Sequence, residues 1–127
     1  MCAEIDRLGE ARGRRTAAVS LPDANPVTPG HRLILPTRHV ERVTELQESE
    51  WLEFTALVRQ ELLEAEAHPE VDGVTLGLNS GEAAGQTVPH AHIHLIPRRA
   101  GDCPDPRGGV RWVVGKGAAY WETDVCP

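Results

Sequence analysis

Three of the chain's six histidines stand at alternate positions, His90, His92 and His94, inside Val88-Pro89-His90-Ala91-His92-Ile93-His94-Leu95-Ile96-Pro97. The apolar alternation predicts a strand over 88–97, with the three imidazoles on one face and Ala91, Ile93 and Leu95 on the other. Two chemistries suit such a row. Neutral imidazoles chelate metals, and an HxH pair on a strand is a familiar ligand set. Alternate strand residues lie roughly 6.6 Å apart, so His90 and His94 are about 13 Å apart at Cα and do not converge on one ion. The sequence also offers no HExxH or ExxH partner, so no metal is expected. The other chemistry is nucleophilic attack at phosphorus, in which a neutral imidazole forms a covalent intermediate and divides one displacement into two easier ones. Its second ring nitrogen must then be fixed by an acceptor, while neighbouring imidazoles donate to phosphate oxygens or the departing group.

What precedes the histidines favours phosphorus. Gly81-Glu82-Ala83-Ala84-Gly85-Gln86-Thr87 is a small-residue loop in which backbone N–H groups, at Gly85 for example, approach an anion closely. Gln86 and Thr87 add polar side chains.

The elements that must hold this site read as follows. Residues 1–16 form a polar, basic arm, either a short helix or loose. Ala17 to Leu21 is a brief strand, 22–30 a loop dense in turn formers, and His31 to Leu35 a strand that Pro36 stops. Thr44 with Gln47, or alternatively Ser49, caps a helix running from about Glu50 to Ala67, ended by His68-Pro69. Phe54, Leu57, Val58, Leu62 and Ala65 supply its apolar stripe. Glu45, Glu48, Glu50, Glu53, Glu61, Glu64 and Glu66 supply a solvated acidic face. Val74, Leu76 and Leu78 alternate as a strand that forms a hairpin with the histidine strand, and Arg111 to Val114 is short and extended. Strands, one long helix and a closing hairpin make an α+β domain. It is a single domain over 1–127, with a core at about 17–114 and a tail at 115–127. Trp112, Tyr120 and Trp121 are expected in the core or at a dimer edge, and His39 and His68 at the surface.

Composition removes several classes. The 127 residues are 40% hydrophobic and 25% charged, an ordinary globular balance. A net charge of −6, with only three tryptophans, one tyrosine and one phenylalanine, argues against nucleic-acid binding, which needs basic surface and stacking platforms. A small anionic ligand is not excluded, because a pocket's field is local. Cys2, Cys103 and Cys126 form no CxxC pair and suggest no disulfide scaffold, so a cytoplasmic location is expected. No apolar run approaches the roughly 20 residues of a membrane span, and the short stretch after Arg14-Arg15 makes no twin-arginine signal.

The histidine row, the loop Asn79 to Val88 before it and Pro97 to Asp102 after it resemble the histidine-triad (HIT) superfamily of nucleotide hydrolases and transferases. A second block, Asp23 to Pro36, is similar to that family's amino-terminal motif, so the resemblance covers about Asp23 to Val114. It implies an antiparallel sheet with one long helix packed on it. By the same resemblance His92 is the nucleophile on the α-phosphorus, and His90 and His94 orient it and contact phosphate or leaving group. His31 supports the site, Asp23 holds the ribose hydroxyls, and Asn79 and Gln86 lie near the phosphates. Histidine at 94, where the transferase branch usually carries glutamine, favours the hydrolase branches. Among these the dinucleoside polyphosphate hydrolases look nearest, with nucleoside phosphoramidases sharing the triad. The implied ligand is a purine nucleotide, the implied assembly a homodimer, and no cofactor is implied. Many relatives open with paired metal-binding cysteines; only Cys2 stands here, so no structural zinc is expected. A different class, a purine-nucleotide-binding regulatory protein without turnover, is the alternative.

Overall fold

The structure is a computed structural model that describes residues 14–15 and 17–122. Five strands are seen: β1 (Arg14–Arg15), β2 (Ala18–Pro22), β3 (Arg32–Pro36), β4 (Gly73–Leu78) and β5 (Ile93–Arg98). They form one antiparallel sheet in the order β1-β2-β3-β5-β4. One long helix, α1 (Glu48–Ala67), packs on it, which gives the α+β architecture. Apart from Arg14–Arg15, the arm expected at 1–16 lies outside the described residues, as do Cys2 and Cys126.

Alternation along the strands divides the sheet into two faces. Ala18, Ile34, Leu95 and Ala91 meet Phe54 and Leu57 of α1, with Val40 and Val43 closing the same core. Burying such side chains is worth about 1.5–3 kcal/mol each, so this face holds the helix in place. On the other face Val19, Leu21 and Leu35 make a smaller cluster with Leu33. Helix α1 begins at Glu48, two residues before the expected start at about Glu50. Gln47, not Thr44 or Ser49, is the N-cap, and its N–H donates to Glu50 Oε1 at 2.9 Å. Thr44 instead sits in a 3₁₀ turn, Val43–Glu45. The acidic face is also interrupted: Glu61 is 1% exposed. Its carboxylate lies 3.4 Å from Arg32 Nε, which itself donates to Ser20 Oγ, so Glu61 ties α1 to the sheet.

The predicted strand over 88–97 is corrected at its start, because β5 begins only at Ile93. Its ladder with β3 has three pairs, Arg32↔Leu95, Leu33↔His94 and Ile34↔Ile93. A proline marks each end. Pro36 and Pro97 have no N–H, and the carbonyl of each points to the side where the ladder has stopped, so no ladder bond is lost. Those carbonyls take other partners: the His90 ring at Pro36 and the Thr28 hydroxyl, 2.6 Å away, at Pro97. Ahead of β5 the chain leaves the sheet and Ala91 N–H donates to the Val40 carbonyl at 2.8 Å.

The segment read as extended at Arg111 to Val114 is a 3₁₀ helix over Gly109–Val113. Trp112, Tyr120 and Trp121 lie outside the core, against one another and under the guanidinium groups of Arg107 and Arg111. Among the described residues, no helix is long and apolar enough to cross a membrane.

Candidate active site

A cavity of about 310 Å³ opens on the sheet face that α1 leaves uncovered. Leu21 and Leu33 form its apolar wall, and His92, His94, Asp23, Asn79, Gly85 and Thr87 supply its polar groups. Of the residues singled out in the sequence, these six are brought together here. His31 stands immediately behind His94 and is buried. His90 and Gln86 are not in the cavity wall.

The loop from Asp23 to His31 is held at both ends. Asp23 N–H donates to the His31 carbonyl at 3.0 Å, and Arg99 donates to the Pro29 carbonyl at 2.7 Å, which pins the loop against the end of β5. Leu33↔His94 pairing then puts His94 on the cavity face of the sheet. On the opposite side, Gly85 adopts φ +95°, a conformation that glycine enters without strain, and it turns the loop toward His92 and His94.

Hydrogen bonds to the main chain fix the imidazole tautomers, because a backbone N–H only donates and a carbonyl only accepts. Val27 N–H donates to His31 Nδ1 at 3.1 Å. The proton of neutral His31 is therefore on Nε2, and it is directed at His94 Nδ1, 2.9 Å away. His94 accepts there, so its own proton is on Nε2, on a ring that lines the cavity. His92 Nδ1–H donates to the His90 carbonyl at 2.8 Å, which leaves Nε2 of His92 as a lone pair. His90 Nε2–H donates to the Pro36 carbonyl at 2.8 Å, and His39 Nδ1 lies 3.2 Å from His90 Nδ1. The cavity thus receives an unprotonated nitrogen from His92 and, beside it, an N–H from His94; the two rings are 5.0 Å apart.

Burial lowers the pKa of His94 below the ordinary histidine value, reinforced by its neighbours His92 and His31 and opposed by the Asp23 carboxylate. Burial likewise lowers that of His90. Both shifts favour the neutral rings that this hydrogen-bond pattern needs.

Donor atoms of Asp23, His31 and His94 lie within 4.8 Å of one another, the one such group among the described residues. They fit a metal poorly. His31 would have to ligate through Nε2, the atom that carries its proton, and moving that proton to Nδ1 would set it against Val27 N–H. The same three groups work better as a hydrogen-bonded support, with Asp23 Oδ2 at 3.4 Å from His31 Nε2 and 3.9 Å from His94 Nδ1.

Gln86 is spent on its own loop. Its Oε1 accepts from Gly81 N–H at 2.8 Å, and its Nε2 donates to the Glu41 and Val88 carbonyls. From this position it braces the loop and directs no free group at the cavity. Four residues escaped the sequence reading: Val27, which acts only through its N–H, the wall residues Leu21 and Leu33, and His39. His39 was expected at the surface, and although exposed, it contacts His90. Its one sequence cue is its place three residues after Pro36, whose carbonyl holds that same ring.

Residues 13–101 match the HIT domain family. The chain belongs to the HIT family. Similar HIT proteins include the nitrilase and fragile histidine triad fusion protein NitFhit of Caenorhabditis elegans, 44% identical over 63% of this chain and 18% of that protein. The bis(5'-adenosyl)-triphosphatase of Dictyostelium discoideum is 40% identical over 65% of this chain and 56% of its own length. A crystal structure of a HIT family protein from Bacillus anthracis superposes with a TM-score of 0.71 at 30% identity, covering 80% of this chain and 73% of that one. The HIT chain described here thus spans little more than half, or much less, of these two curated relatives.

Proposed function

We propose that this HIT chain is a nucleotide hydrolase acting at the α-phosphate of a purine nucleoside polyphosphate or phosphoramidate, of the diadenosine polyphosphate or AMP-conjugate type. The observation that carries the reading is the locked His92: its Nδ1–H is donated to the His90 carbonyl, so the lone pair of Nε2 is the nucleophile. A bond forms between Nε2 and the α-phosphorus while the bond to the leaving group breaks. The imidazolium so formed keeps its Nδ1–H on the carbonyl, whose dipole stabilises the new positive charge. His94 donates its Nε2–H to a phosphate or departing oxygen. Water then displaces the imidazole from phosphorus, giving the nucleoside monophosphate and releasing one proton to solvent. Asp23 is placed to accept from the ribose hydroxyls, His31 and His90 orient the two working rings, and Asn79, Gly85 and Thr87 contact the phosphates. Gln86 serves by holding the loop.

The relatives' printed activities support this reading, as does the cavity's pairing of apolar wall and convergent polar groups. A homodimer and a cytoplasmic location complete it. The dimer is proposed on the open edge of β4, where Leu76 and Leu78 are exposed. The test is rapid quenching of the full chain with diadenosine triphosphate, followed by intact mass measurement. A transient gain of one AMP is expected. His92→Ala should abolish that adduct and lower kcat on the order of 10⁴-fold or more. Tight AMP binding without turnover of any such substrate would instead identify a regulatory nucleotide-binding protein.

A further inference from the structure

A second cavity of about 630 Å³ lies on the outer side of the Gly81–Val88 loop. It shares the lining residues Gly85, Thr87 and Val88 with the inner cavity, so the two flank the same strip of loop. Arg42 lines it. This guanidinium lies over Gly81, 2.8 Å from where a Cβ on that residue would stand, and Gly81 itself holds φ +96°. The loop therefore makes room for the arginine at a position where only glycine is unstrained. The guanidinium forms no ion pair or hydrogen bond with a described side chain.

We propose that the outer cavity is the leaving-group subsite, and that Arg42 selects a polyphosphate leaving group by binding its phosphates. The proposal rests on the hydrolase reading and narrows its substrate class. A substrate with its ribose at Asp23 and its α-phosphate at His92 and His94 continues over Gly85 to Val88 and reaches Arg42 next. The inner cavity is half the size of the outer one, so the roomier part of the site serves the departing half. The tautomer lock points the same way. Neutral His94 donates a hydrogen bond, but giving up its proton outright would leave an imidazolate. A nucleoside polyphosphate departs as an anion and needs no proton, whereas an amine leaving from a phosphoramidate does. An anionic leaving group needs a cation, and a guanidinium matches phosphate geometry. Glu41 and Glu82 border the same cavity and oppose that anion, so the subsite's selectivity depends on the arginine.

The test compares full-length wild type, Arg42→Ala, Arg42→Lys and Glu82→Gln on diadenosine tetraphosphate and on adenosine 5'-phosphoramidate at fixed ionic strength. In Arg42→Ala the ratio of kcat/KM for the polyphosphate to that for the phosphoramidate should fall about tenfold, with Arg42→Lys intermediate. Glu82→Gln should raise that ratio about twofold. An unchanged ratio overturns the proposal, and so does an equal loss on both substrates, which marks a structural role. If wild type turns over neither substrate, the hydrolase reading fails, and competitive binding then decides the subsite by itself. Arg42→Ala should weaken binding of diadenosine tetraphosphate relative to AMP; equal weakening, or none, overturns it.

Discussion

His92 and His94 line the same cavity, but one is oriented by main chain and the other by side chains. His92 rests on the carbonyl of His90, two residues away, and any residue at 90 would present that carbonyl. His94 rests on His31, which rests on Val27 N–H, with Asp23 beside both rings. A backbone anchor is insensitive to substitution and to pH, whereas a side-chain anchor responds to both. His92 thus has the sturdier mount, and His94 has the one that can be tuned.

Breaking the side-chain mount should have the larger effect. His31→Ala removes the donor that holds His94 in its Nε2–H form, freeing the ring to present either tautomer. Loss of one oriented donor at phosphorus costs on the order of 10²-fold in kcat. His31→Gln, whose amide N–H can replace the ring's Nε2–H, should recover about tenfold of that loss. Steady-state kinetics on both variants checks this, and a purely structural role for His31 predicts no rescue by glutamine in a protein of equal thermal stability.

The main-chain mount should behave in the opposite way. His90 is 1% exposed and fills space between Pro36 and His39. His90→Ala deletes a buried, hydrogen-bonded ring but keeps the carbonyl that orients His92. About 2 kcal/mol of stability is expected to go, from the vacated volume and the unpartnered Pro36 carbonyl. The loss in kcat should stay below about tenfold while the fold is intact. Denaturant titration and kinetics on one preparation measure both. If kcat falls as far as it does in His92→Ala, the imidazole of His90 is needed for the chemistry and the contrast between the two mounts is lost.

How far each mount was legible in the sequence follows the same division. Alternation in Val74, Leu76 and Leu78, the apolar stripe of α1 and the prolines around His31 to Leu35 are side-chain patterns, and they located β4, α1 and β3. The grouping of His92 and His94 was visible for the same reason. Main-chain bonds leave no such trace. The donor at Val27 carries no residue-type signal, and in Val88 to His92 Pro89 argues against a strand but does not announce that the backbone turns to Val40. Glu61 misled because helical spacing marks a face but not how far across it the sheet reaches. The family resemblance supplied roles for His31 and Asp23 that spacing alone could not.

The smallest effect sharpens the comparison through pH. His94 is held below the ordinary histidine pKa of 6.5 chiefly by burial, then by His92 and His31, while Asp23 pulls it upward. His90 is lowered as well, again chiefly by burial. Well above pH 6.5 both rings are neutral, folded or unfolded, and contribute no pH dependence. Below it the unfolded chain takes up protons that the folded one refuses, so stability falls with pH until the folded pKa values are passed. The acid limb of kcat/KM should therefore lie below pH 6.5, since protonating His94 ends its acceptance from His31. Asp23→Asn removes the one group that raises the His94 pKa and should move that limb to lower pH. His31→Ala opens the site and deletes a neighbour that lowers the His94 pKa, so it should move the limb to higher pH. The shifts are fractions of a pH unit, but their opposite signs are the diagnostic. Were the limb to stay fixed in both variants, it would belong to a group outside the side-chain mount, and His94 would not be the tunable member of the pair.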